Sequence, residues 1–198
     1  MQDYLTIGRQ CESGMWMETK KRIMDSAFRL FAEKGNEFSL AEVAKEVGIQ
    51  KPSIYAHFPS KDVLMHAVTD REIEEYFFEI HEQSRDLKHI FFMILGYYSN
   101  STTRLFFWKR LLLFPPESFD TILMEKIHNL SQTRFEIIRE ILDSCVDTGL
   151  IRPQDTTTAA YSFLALIHGL LSTSIIYKSE DVSTHYEEIW QIFWNGII

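Results

Sequence analysis

The chain has 198 residues, 45% of them apolar and 24% charged, with a formal net charge of −8. This describes a globular chain with one ordinary core or two small helical lobes, and excludes a disordered or fibrous one. The acidity excludes nucleic-acid binding through bulk positive charge, and the two cysteines, Cys11 and Cys145, imply no disulfide scaffold and no metal-like spacing.

The charge is unevenly placed. Residues 1–61 carry a balance of +1 and residues 62–198 one of −9. Lys20, Lys21, Arg22, Lys45, Lys51 and Lys61 therefore form a local positive face with modest, salt-sensitive affinity for a polyanion. Fifteen phenylalanines, eight tyrosines and four tryptophans are many for this length, and point to large packed faces or an aromatic cavity. Arg9, Glu12 and Lys20 interrupt any signal peptide. The most apolar runs, Ile90–Tyr98 and Ala159–Leu171, are shorter than the roughly 18 residues a membrane helix needs. A cytoplasmic protein with no membrane partner is expected.

Residues 1–16 contain Gly8 and Gly14, show no clean periodicity, and are expected to form an arm. A first helix is expected to begin between Met17 and Thr19 and run to Lys34, with Ile23, Ala27, Leu30 and Phe31 on its core side and Gly35 as its stop. Ser39 and Glu42 form a capping box. The short helix after them places Leu40, Val43, Ala44 and Val47 on one face. Gly48 ends it with a positive φ. Pro52 opens a second short helix, where its missing N–H costs nothing. Ile54 and Phe58 face inward, which leaves a polar, small-residue end suited to a DNA major groove. Gln50, Lys51, Pro52, Ser53 and Ala56 are the candidate base readers: Gln matches adenine, Lys matches guanine, and the Pro ring fits a thymine methyl. The helix end at Ser39 is also a candidate phosphate site.

These residues carry a family resemblance. Ala27-Phe28-Arg29-Leu30-Phe31-Ala32-Glu33-Lys34-Gly35, Ala44 to Gly48 with Ile49, Tyr55-Ala56-His57-Phe58 and Ser60-Lys61-Asp62 resemble the DNA-binding domain of the TetR family of bacterial transcriptional regulators. The match runs from Ile23 to roughly Val68. Pro52 stands where many members have glycine. The resemblance implies an all-α chain: an N-terminal three-helix helix-turn-helix domain (17–61), then a larger helical effector-binding and dimerisation domain (62–198). It also implies phosphate contacts by Tyr55, His57 and Lys61, a palindromic double-stranded operator and a homodimer.

A fourth helix is expected from Asp62 to about Ser84, capped by Ser60. Further helices follow from Asp86 to about Ser99, Thr103 to Phe114, about Glu117 to Thr148, Thr156 to Tyr177 and Ser183 to Asn195. Leu112, Ile122 and Ile137 are among their expected core positions. The helix from Thr156 is apolar nearly all round, so it is expected to be buried on more than one side. Phe163, Ile167, Leu170, Leu171 and Ile175, with Trp190, Phe193 and Trp194 of the last helix, are the dimer candidates. His89, Phe92, Tyr98, Phe107, Trp108, Arg110, Tyr161 and His168 are candidates for the pocket of a small, largely apolar effector, since such pockets pair apolar walls with a few polar anchors.

No cofactor, metal or catalytic group is expected. Glu125 and His128 have a Glu-x-x-His spacing, but carboxylate-bridged metal bundles need a second copy. Phosphate-loop, zincin and dinucleotide fingerprints are absent. The reading is a ligand-responsive, sequence-specific repressor released from its operator by effector. The alternatives are an activator or accessory regulator of the same fold, and an all-helical enzyme or ligand-binding protein without DNA binding.

Overall fold

The structure is a computed structural model and describes residues 3–80, 86–117, 119, 121–177 and 182–198. Its elements in chain order are α1 (Asp3–Lys34), α2 (Leu40–Val47), α3 (Lys51–His57), α4 (Lys61–Ile80), α5 (Leu87–Ser99), α6 (Thr102–Leu113), α7 (Thr121–Asp147), α8 (Thr156–Ile176) and α9 (Tyr186–Ile197). Short 3₁₀ turns at Gly35–Glu37 and Val182–His185 join α1 to α2 and precede α9. The fold is all-α: N-terminal helices in a helix-turn-helix arrangement, followed by a larger helical bundle.

The helix ends show why these segments fold as they do. The Ser39 hydroxyl accepts from the Glu42 N–H at 3.3 Å, and the Glu42 carboxylate accepts from the Ser39 N–H at 2.7 Å, which completes the capping box. Gly48 has a φ of 74°, and the N–H groups of Gly48 and Ile49 donate back to the Lys45 and Ala44 carbonyls. This is a Schellman closure that only a left-handed residue allows at low cost. The Ser60 hydroxyl accepts from the Val63 N–H at 3.1 Å at the start of α4. Asp86 caps α5, Asp155 caps α8, and Gly149, with a φ of 69°, follows α7.

Two compact units result, residues 1–74 with 106–119 and residues 75–105 with 120–198. The division falls inside α4 and α6, whereas the expected functional boundary lay after Lys61. In the first unit, Ile23, Ala27, Leu30 and Phe31 of α1 are buried with Val43, Val47, Ile54, Phe58, Leu64 and Val68. Phe107 belongs here because its ring lies 4.9 Å from Phe28 and 5.3 Å from Phe31. Two arginines close helix ends by donating to bare carbonyls. Arg22 donates to the Val47 carbonyl at 2.6 Å, and Arg110 donates to those of Ala32 and Glu33, both at 2.8 Å.

In the second unit, Phe91 of α5, Phe163 of α8 and Trp190 and Phe193 of α9 form one aromatic core, with ring centroids 5.5–6.4 Å apart. Arg152 and Gln154 donate to the last carbonyls of α9, and Lys88 pairs with Glu187 at 2.6 Å.

Several expectations are corrected. α1 begins at Asp3, not between Met17 and Thr19, because Gly8 and Gly14 weaken a helix by about 1 kcal/mol each without breaking it. α7 begins at Thr121 rather than near Glu117. Ile122, Leu112 and Ile137 are exposed, not core; apolar periodicity fixes a face only where a second element covers it. The expected end of α4 near Ser84 lies outside the described residues. α8 is 21 residues long and, by length and composition alone, apolar enough to cross a membrane, although its Phe163, Ile167 and Leu171 are buried within the protomer.

Glu42 gives the fold a pH dependence. A bond from Lys34, then bonds from the Ser39 N–H and hydroxyl, hold its carboxyl down from 4.5 to about 2. The folded value lies below the unfolded one, so the stabilisation is complete above 4.5 and lost as the pH falls towards 2. Urea midpoints of the wild type and Glu42→Gln should therefore differ near neutral pH and converge towards pH 2. A pH-independent gap would contradict this role.

Candidate nucleic-acid interface

α3 is a seven-residue helix held by its inner side. Ile54 is fully buried and Phe58, just past its end, nearly so. Gln50, Lys51, Pro52, Ser53, Tyr55 and Ala56 are all exposed. The turn at Gly48 and the anchors Ile54 and Phe58 thus bring the five candidate base readers and Tyr55 together on one short surface. The Lys51 ammonium lies 6.0 Å over the Tyr55 ring, which adds positive charge beside the phenol.

The other three candidate phosphate ligands are differently placed. Ser39 is exposed, but its hydroxyl both accepts from the Glu42 N–H and donates to the Glu42 carboxylate at 2.9 Å. The N-terminus of α2 therefore already holds an anion, one that also pairs with Lys34 at 2.5 Å. The Lys61 ammonium donates to the Asn36 carbonyl at 2.5 Å and lies 4.2 Å over the Phe38 ring; burial lowers its pKa. Both side chains thus have partners within the first unit.

His57 is half-buried and its ring meets that of Trp16, with centroids 3.7 Å apart. Burial, then the nearby Lys20 ammonium, lowers its pKa. The neutral imidazole is therefore the main form at neutral pH, so a phosphate contact by His57 rests on an N–H donor rather than on charge. Trp16 is a residue that sequence reasoning passed over: it lay in a stretch treated as an arm. Its only sequence signal was a large aromatic between two methionines.

The effector candidates are divided between the two units. Phe107, Trp108 and Arg110 belong to the first unit, where Arg110 closes the end of α1. Tyr98 is buried in the second unit beside Tyr76 and Tyr97. Phe92 is half-buried under Lys88, whereas His89, Tyr161 and His168 are exposed, with Tyr161 against Phe135. Of the dimer candidates, Phe163, Ile167, Leu170, Leu171 and Trp190 are buried within the protomer, and Ile175, Phe193 and Trp194 are half-buried. The outward stripe of α8 instead consists of Tyr161, Ala165, Gly169, half-buried Ser172 and Ile176. Among the described residues, no group of three or more His, Cys, Asp or Glu side chains could hold a metal ion.

Residues 23–68, which hold the C-terminal part of α1, the α2–α3 pair and the start of α4, match the sequence model of the bacterial regulatory proteins of the tetR family. This segment carries the DNA-binding sequence pattern of the TetR family. An uncharacterized HTH-type transcriptional regulator of Bacillus subtilis, YvaF, is 23% identical over 192 residues, covering 89% of this chain and 94% of that one. The transcriptional regulator FadR of Bacillus subtilis, solved in complex with stearoyl-CoA, superposes with a TM-score of 0.63 at 17% identity, over 90% of this chain and 99% of that one. AibR, solved in complex with isovaleryl coenzyme A and operator DNA, superposes with a TM-score of 0.68 at 18% identity, over 90% and 97%. At these identities the two structures share the fold of this chain.

The Trp16 contact is directly testable. Trp16→Ala removes the ring that covers His57, so the imidazole pKa should rise towards its ordinary value in an NMR titration. An unchanged value would show that Trp16 does not bury the histidine.

Proposed function

We propose that this protein is a homodimeric repressor of the TetR family that binds a palindromic operator and is released by a small, largely apolar effector bound in the second unit. The observation that carries the DNA half of this reading is the α3 surface: Gln50, Lys51, Pro52, Ser53 and Ala56 stand exposed above a buried Ile54. Base readers must project from a rigid element, and one buried anchor with a capped turn supplies that rigidity. Tyr55 and His57 at the far end of α3 would fix its register on the phosphates.

The effector half rests on the family and on two structures of this fold, one holding stearoyl-CoA and the other isovaleryl coenzyme A with operator DNA. An acyl chain is bulky and apolar, which suits the aromatic content of the second unit. Release is a population shift, so the effector binds the DNA-competent state and its alternative unequally. α4 contributes residues to both units and is the element through which we propose the two sites are coupled.

The dimer is proposed to form through α8 and α9. The outward stripe of α8 carries Ala165, Gly169 and Ser172 between Tyr161 and Ile176, and Ile192 of α9 is 74% exposed. Small residues on an apolar helix allow a second helix to approach closely, and a two-fold dimer matches a palindromic site. A Cβ built on Gly169 meets nothing within 4 Å. Gly169→Glu should therefore fold, with helix propensity in its favour, yet sediment as a monomer and lose most of its operator affinity. A dimeric variant with full operator affinity would contradict the assignment. The repressor reading is tested by transcription in vitro from a promoter that contains the bound site: adding protein should lower transcript yield, and unchanged or raised yield would favour the activator alternative.

A further inference from the structure

The second unit contains three buried tyrosines flanked by two arginines. The Tyr76 ring lies 5.0 Å from that of Tyr97 and 6.2 Å from that of Tyr98. The Arg104 guanidinium sits 4.5 Å over the Tyr97 ring, and the Arg134 guanidinium 4.4 Å over the Tyr76 ring. The two cations differ in their neutralisation. Arg104 pairs with Glu75 at 2.8 Å. Arg134 is half-buried and pairs with no carboxylate among the described residues. Burial raises the pKa of the neighbouring Tyr98 phenol, and the Arg134 charge draws it partly back.

This arrangement is incomplete on physical grounds. A guanidinium offers five N–H donors in a planar fork. Removing it from water is costly unless an anion compensates, and a ring face satisfies only part of its demand.

We propose that Arg134, backed by Tyr76 and Tyr98, receives the anionic group of the effector, a carboxylate or a phosphate, as a bidentate pair. This deepens the effector-binding reading of the second unit and rests on it. A cationic ligand does not fit, because the Tyr76 and Tyr97 faces that would hold a quaternary ammonium are each covered by a guanidinium. Tyr76 also lies on α4, the helix that supplies buried Leu64, Met65 and Val68 to the first unit. An anion that draws Arg134 off the Tyr76 ring would therefore alter the packing of that helix.

The test is calorimetric titration of the full chain with octanoate, octyl phosphate, octanol and octyltrimethylammonium. At least one of the two anions should bind about tenfold tighter than octanol, as expected for a charge-assisted bidentate contact; which one it is separates a carboxylate site from a phosphate site. Arg134→Gln should abolish this preference and leave octanol binding unchanged. Arg134→Lys, which keeps the charge without the fork, should retain part of it. Equal affinity for anions and alcohol, a preference for the ammonium, no binding of any of the four, or a preference undiminished in folded Arg134→Gln would each overturn the assignment. The wild-type comparison stands even if a variant fails to fold. Operator release is measured separately: anions that bind through Arg134 and leave the operator complex intact would sink the release mechanism and leave this site standing.

Discussion

Gly48 holds a φ of 74°, and the direction of α3 follows from that single backbone angle. The N–H groups of Gly48 and Ile49 turn back onto the carbonyls of α2, so the chain leaves the helix at a fixed angle. Ile54 and Phe58 then fix the rotation of α3 about its own axis. Any L side chain at Gly48 would be strained whatever space surrounds it, because the left-handed region costs a residue with a Cβ roughly 1–2 kcal/mol. The face that α3 offers to solvent is a consequence of this turn and two anchors, and a helix of seven residues has no other means of holding a direction.

A second constraint recurs at the helix ends of the first unit. α1 and α2 end with carbonyls that have no intrahelical partner, and in each case a guanidinium from a distant position supplies donors: Arg110 for α1 and Arg22 for α2. A charged donor near a helix C-terminus also opposes the negative end of the helix dipole. These bonds tie α6 to α1 and α1 to α2 without burying a full charge pair. Arg110, named from the sequence as an effector anchor, closes the end of α1. Guanidinium groups thus close helix ends in both units, Arg152 at the end of α9 included, and in the second unit they also cover tyrosine faces.

What could be read from the sequence was local chemistry. The capping box of Ser39 and Glu42, the stop at Gly48, the Ser60 cap and the end of α7 at Gly149 each involve residues no more than a few positions apart, where geometry permits few alternatives. The division of α3 into inner and outer faces was legible for the same reason. The partners of Arg110 and Phe107 were not, since they lie more than seventy residues away along the chain. Nor was the outward face of α8: a helix apolar on every side gives no periodic signal of which side another element covers. That is why Phe163, Ile167 and Leu171 were expected at an interface and lie inside the protomer, while Ala165 and Gly169 face outward. Trp16 was missed because a ring contact with His57, forty-one positions away, leaves no trace in local pattern.

The central claim is that two copies of the α3 surface read a two-fold DNA site. Selection of bound duplexes from a random pool, by protein stripped of any small molecule and checked for folding and dimerisation, tests it most directly. The account predicts enrichment of a palindrome whose half-sites lie about one helical turn or a multiple apart, with affinity that falls as salt rises. Failure to enrich any sequence, or enrichment of a site with no two-fold symmetry, would contradict it.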